Sequence, residues 1–226
     1  MAADINLIDV CDKKLFDIAM THPSFVKDND RPYDECYERL EFLGDAVLKL
    51  LISKILFNKF PDYDEGRMTK IRAILVSDAS LAKVAEKIGL DKCLRLGKGE
   101  EKTGGRKKES ILACAFEALL GACSISGKVN ETTEFLEKEF AEYIEEIDNN
   151  LVKYHAKEML QEYTQSIDCK LPVYKTEQTG SAHKPQFNSV VYYNDEEIAS
   201  ATGRTKKESQ QSCAYNACVK LGIIKE

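Results

Sequence analysis

Apolar residues at Leu40, Phe42, Leu43, Val47, Leu48, Leu50 and Leu51 almost encircle a helix, which predicts a buried one. The same stretch carries Glu38, Glu41 and Asp45, and at about 100° per residue these three carboxylates fall within about 60° of one another. A second apolar run, Ile111 to Leu120, has Glu117 as its only charge. Helical spacing also predicts elements from about Glu65 through Leu75, over 79–88 with Gly89 as a stop, over 109–125 and over 131–147. Beyond Asn150 the period changes. An amphipathic helix over 154–166 precedes three β-type stretches, 173–178, 186–193 and 196–202, and a helix over 206–221. The pattern predicts an all-α domain over residues 4–148, a polar linker at 149–152, and a small α+β module of order α-β-β-β-α over 153–224.

Charge divides the chain at nearly the same place. The formal net charge is −6 overall, with −7 on residues 1–151 and +1 on the remainder. The acidic excess lies with the clustered carboxylates, and a polyanionic partner depends on local arrangement more than on this total. The eight cysteines form no Cys-x-x-Cys pair and no partnered His pattern, which argues against a zinc site. No apolar run reaches the roughly 18 residues of a membrane span, and the first residues carry no basic, cleavable leader. A cytoplasmic location with no membrane association is expected.

Carboxylates on apolar helices are costly to desolvate and repel one another, so they require a cation, a basic partner or a shifted pKa. Asp45 could pair with Lys49 one turn on, and Glu117 could sit at a rim. Two such helices together favour a shared metal centre, and oxygen ligands select Mg²⁺, with Mn²⁺ as the alternative. The loop Gly104-Gly105-Arg106-Lys107-Lys108 precedes the second helix; as a solvated basic turn it needs no role, but its place beside Glu117 favours contact of Arg106 and Lys107 with phosphates.

The run Glu38-Arg39-Leu40-Glu41-Phe42-Leu43-Gly44-Asp45-Ala46-Val47-Leu48 resembles the signature of ribonuclease III, and Glu117-Ala118-Leu119-Leu120-Gly121 resembles its second catalytic helix. Thr21-His22-Pro23-Ser24-Phe25 and Asp64-Glu65-Gly66 match supporting stretches. The C-terminal module is similar to a double-stranded RNA-binding domain through Leu160-Gln161-Glu162-Tyr163, Gly180-Ser181-Ala182-His183 and Lys206-Lys207.

The resemblance implies an endoribonuclease that cuts double-stranded RNA, such as ribosomal precursors and structured messenger or small RNAs. It implies a homodimer with one site per subunit and no small-molecule cofactor beyond the metal. Asp45 and Glu117 would be catalytic, with Glu41, Asp45 and Glu117 holding the ion and Glu38 and Glu65 as an auxiliary acidic pair. Gln161, Glu162, Gln165 and His183 would read the minor groove, and Lys206 and Lys207 would hold phosphates.

Three positions depart from the pattern. Cys114 occupies the metal-ligand position three residues before Glu117, where the family has an aspartate. A thiol is a poor ligand for Mg²⁺, which leaves a metal site of the remaining carboxylates or, as the alternative, a non-cleaving RNA-binding regulator. Ser181 stands where proline is usual, and Gln210 where a third basic residue is common.

Overall fold

The computed structural model describes residues 5–181 and 184–224. His183, expected at the minor groove, lies outside these described residues. Two compact units divide the chain, Met1–Glu146 and Ile147–Glu226.

The first unit is helical, and its principal elements are α1 (Glu38–Lys59), α2 (Glu65–Leu75), α3 (Asp78–Lys87), α4 (Glu109–Ile125) and α5 (Val129–Asn149). Helix α4 lies at its centre. Eleven of its seventeen residues are buried, including Phe116 and Leu112, because Glu109 and Glu117 are its only charges. Such a segment satisfies its backbone internally and gains apolar burial on all sides. Around it pack α1, α3 and the short helices Leu7–Val10 and Lys13–Ala19.

Helix α1 differs from its sequence reading. It is amphipathic rather than buried all round: Leu48 and Ile52 are fully buried, whereas Phe42 is 83%, Leu50 67% and Phe57 68% exposed. These three differ by eight and seven positions, which places them on one stripe about 80° wide. Binary pattern alone could not distinguish an apolar face packed inside the unit from one left outside it.

The Thr21-His22-Pro23-Ser24-Phe25 stretch braces the start of α1. Pro23 opens a short helix whose cap is His22, its ring nitrogen accepting from the Ser24 N–H. Thr21 O accepts from Tyr37 N–H at 2.9 Å, and Ser24 Oγ accepts from Gly97 N–H at 2.9 Å. The motif therefore acts as a clasp between three loops.

The second unit comprises α6 (Leu151–Asp168), β1 (Val173–Ser181), β2 (Lys184–Tyr193), β3 (Glu196–Gly203) and α7 (Lys206–Lys220). The strands form one antiparallel sheet in the order β1-β2-β3. Ala156 and Leu160 from α6, Val191 from β2, and Cys213, Ala214, Ala217 and Cys218 from α7 form its core. At the β2–β3 turn Asn194 and Asp195 both have positive φ, a conformation their short polar side chains tolerate.

The stretch read as a linker holds the end of one helix and the start of the next. Helix α5 continues through Asn149 and α6 begins at Leu151, leaving Asn150 as the break.

Candidate active site

The site begins with two glycines. Where α1 crosses α4, a Cβ on Gly44 would lie 1.7 Å from the Glu117 carbonyl oxygen, and one on Gly121 would lie 2.2 Å from that of Leu40. No side chain fits at either position, so the backbones meet directly. The next residue on α1 is Asp45, and Glu117 supplies the opposing carbonyl. Helix contact and carboxylate contact are one feature.

Glu38, Glu41, Asp45 and Glu117, with Phe42, line an open cleft of about 490 Å³. Glu117 is half-buried among like charges. Burial, followed by Asp45, Glu41 and Asp78, pushes its carboxyl up to about 7, opposed by Lys49. Lys49 Nζ donates to Asp45 Oδ2 at 2.7 Å, the local pairing expected one turn apart. Tyr33 Oη donates to Glu38 Oε2 at 2.5 Å and anchors the fourth acid.

Cys114 occupies the same face of α4. Burial, contact with the Glu41 carboxylate and the charge of Glu117 push its thiol up to about 12, so it is neutral at ordinary pH. Its neighbours include the buried Tyr37, whose hydroxyl is also raised, by burial first and then by Cys114 and Glu41. The position belongs to the site, but it supplies no negative charge.

Sequence reasoning missed Asp78, in the first turn of α3, which raises both Glu117 and Cys114. Its signal in the sequence is that of any acid at a helix start. Glu65 stands elsewhere. It accepts from Thr69 Oγ1 at 2.9 Å and lines a groove of about 410 Å³ that includes Leu50, Leu56, Phe57 and Met68.

The donor set fits a hard divalent ion by chemistry: Glu41, Asp45 and Glu117 line one cleft and offer oxygen ligands. Among the described residues no three acidic, His or Cys side chains stand ready-grouped for a metal, and Lys49 takes one Asp45 oxygen.

The basic loop is tied to its own chain. Arg106, expected at substrate phosphates, donates to Asp91 O at 2.6 Å and Leu94 O at 3.0 Å and pairs with Glu101 at 2.6 Å. It closes the loop by donating to two of its chain's carbonyls. Lys107 is exposed, and Lys108 pairs with Glu100.

In the second unit Lys206 and Lys207 open α7 and are exposed. Thr205 caps them: its hydroxyl accepts from Glu208 N–H at 3.1 Å, and Glu208 Oε2 accepts from Arg204 N–H at 2.8 Å. Gln161, Glu162 and Gln165 are exposed on α6.

Residues 12–144 match the model of the ribonuclease-III-like family, and residues 156–221 match the double-stranded RNA binding motif. The chain belongs to the ribonuclease III family. It is 41% identical to Ribonuclease 3 of Natranaerobius thermophilus over 93% of this chain and 91% of that one. Ribonuclease 3 of Listeria welshimeri is 40% identical over 94% and 93%. Among solved structures, the nuclease domain of ribonuclease III from Campylobacter jejuni superposes with TM-score 0.52 and 38% identity, covering 62% of this chain and 97% of that domain. A second structure of that domain, at TM-score 0.52 and 40% identity over 57% and 90%, concerns flexibility in a region involved in its dimer formation.

This ribonuclease III-family chain is a double-strand-specific endoribonuclease, with a helical nuclease domain followed by a double-stranded RNA-binding module. No helix among the described residues is long and apolar enough to cross a membrane.

Proposed function

We propose that the α1–α4 cleft hydrolyses RNA phosphodiesters with Mg²⁺, or Mn²⁺ in its place, held by Glu41, Asp45 and Glu117. The observation that carries this is the glycine-to-glycine crossing, which places acids 72 positions apart in sequence around one opening and leaves Glu117 strongly perturbed. When bound, such an ion lowers the pKa of water and offsets charge on the phosphate. The chain's own groups do the rest. Asp45 and Glu117 orient the attacking water and accept its proton, Glu38 positions substrate from the rim, and Lys206, Lys207 and Lys107 hold phosphates. Gln161, Glu162 and Gln165 face the minor groove from α6. Incubation of a long RNA duplex with the protein and Mg²⁺ or Mn²⁺, beside an EDTA control, should give discrete products only with metal. An intact duplex with both ions would defeat this reading.

Cys114 makes the site one charge poorer than four carboxylates would be. Cys114→Asp should lower the half-saturating Mg²⁺ concentration about tenfold, equivalent to about 1.4 kcal/mol. Cleavage seen only in that variant would instead favour the non-cleaving RNA-binding regulator.

The exposed stripe Phe42, Leu50 and Phe57 supports a two-fold homodimer. An isologous pairing along α1 covers these side chains and supplies one site for each RNA strand. Glu65, in the groove beside Leu50 and Phe57, then lies at the subunit interface as the auxiliary acid. Phe42→Asp should shift the sedimenting species from dimer to monomer; an unchanged dimer would remove the stripe from the interface. Substrates of this class are ribosomal RNA precursors and structured messenger or small RNAs, met in the cytoplasm.

A further inference from the structure

The amino end of α7 carries the exposed Lys206 and Lys207, and the next position on that face is Gln210. Seen down the axis, position 210 lies about 40° from position 206 and about 60° from 207 on the opposite side, one turn further along. It therefore continues the stripe that Lys206 and Lys207 begin. Gln210 is neutral, but its Oε1 accepts from Lys157 Nζ of α6 at 2.9 Å.

That ammonium is held from two more sides. Gln210 Nε2 donates to Thr176 Oγ1 of β1 at 3.0 Å, which fixes which end of the amide faces the lysine. The Lys157 ammonium also lies 4.7 Å from the centre of the Tyr174 ring. Among the described residues no carboxylate pairs with it, and the side chain is partly exposed. A positioned, partly exposed cation with no acid beside it retains most of its attraction for an external anion.

We propose that Lys157 is a third phosphate-binding cation of the RNA module, seated on Gln210 at the place where a basic side chain on α7 would put its charge. The ligand is the phosphate backbone of duplex RNA. The proposal rests on Lys206 and Lys207 being phosphate contacts, and the test separates the two readings.

Binding of the full chain to an RNA duplex of about 20 base pairs, longer than the roughly 16 that one such module spans, is measured in EDTA across a salt series. Each lost phosphate contact should lower the slope of log affinity against log salt by about one unit. Lys157→Gln should lower it by about one, and Lys206→Gln with Lys207→Gln by about two. The decisive variant is Lys157→Gln with Gln210→Lys, which moves the charge from α6 to α7 at one place and should restore the wild-type slope. An unchanged slope in Lys157→Gln overturns the proposal, as does a charge-swapped variant that stays low. Should Lys157→Gln melt the module by circular dichroism, the charge-swapped variant decides alone. If the Lys206 and Lys207 changes also leave the slope untouched, the underlying clamp reading fails with it.

Discussion

The two units of this chain build their functional surfaces in opposite ways. In the nuclease domain, acids from α1 and α4 line one cleft where two glycines let the helices touch, and burial and like charges raise the Glu117 carboxyl. In the RNA module, the cations of α7 are presented by a local device, the Thr205–Glu208 cap, and lie exposed to solvent. One surface depends on a long-range contact and the other on a four-residue motif. The first should therefore fail globally when its geometry is disturbed, and the second should lose only its charges.

The strongest way to break that contrast is to fill the crossing. Gly44→Ala places a methyl group against the Glu117 carbonyl, where the nearest atoms are backbone and cannot rotate away. Overpacking of this kind costs about 3 kcal/mol or more, which corresponds to a fall of roughly 10 °C in the melting of the nuclease domain. Cleavage should vanish with it. A variant that melts normally and cuts RNA would mean that the helices do not meet through this glycine.

A smaller effect, with the opposite sign on stability, is expected at Glu117. Its carboxyl titrates at about 7 in the folded, metal-free domain against 4.5 for an ordinary glutamate. A folded-state pKa above the unfolded value means the native state holds the proton longer. Stability is then fullest below about 4.5 and declines as pH rises to about 7. Glu117→Gln removes that loss. In EDTA the variant should melt a few degrees higher than the wild type at pH 8, the two should converge near pH 4.5, and the variant should not cleave. Mg²⁺ should raise the melting temperature of the wild type and leave that of the variant unchanged. Equal EDTA melting at pH 8 would show that the acids are already compensated.

The same contrast governs what was legible in the sequence. Local signals were read directly: Gly89 follows α3 with a φ of +81°, and the α-β-β-β-α order of the second unit is that of its periodicity. The carboxylates of α1 and α4 stood out in the sequence because charge beside apolar helix positions is costly, and the structure has them line one cleft. Asp78 was not, since an acid at a helix start needs no further explanation until tertiary packing brings α3 onto α4. The bonds of Arg106 to Asp91 O and Leu94 O were not legible, because a basic residue in a glycine-rich loop reads the same whether it faces phosphate or its own chain's carbonyls. The exposure of Phe42, Leu50 and Phe57 was hidden for a related reason: pattern shows that a face is apolar but not what covers it.

The smallest expected effect concerns how the RNA module holds α7 against its sheet. Ser189 on β2 and Ser209 on α7 are both fully buried, with their hydroxyls 2.7 Å apart. Ser189 Oγ also lies 2.8 Å from Thr176 Oγ1, and Ser209 Oγ donates to Lys206 O at 3.0 Å. A buried hydroxyl left without its partner costs more than a pair removed together. Ser189→Ala and Ser209→Ala should therefore each destabilise the module by about 1 kcal/mol, while the double variant should cost less than their sum. Salt dependence of RNA binding should not change in any of the three, because Lys206 and Lys207 keep their charges and Thr205 keeps its cap. Strict additivity in chemical denaturation would show that the hydroxyls act separately. A changed salt slope would mean instead that the buried chain sets the position of the cations, and the RNA surface would then depend on tertiary packing as the nuclease cleft does.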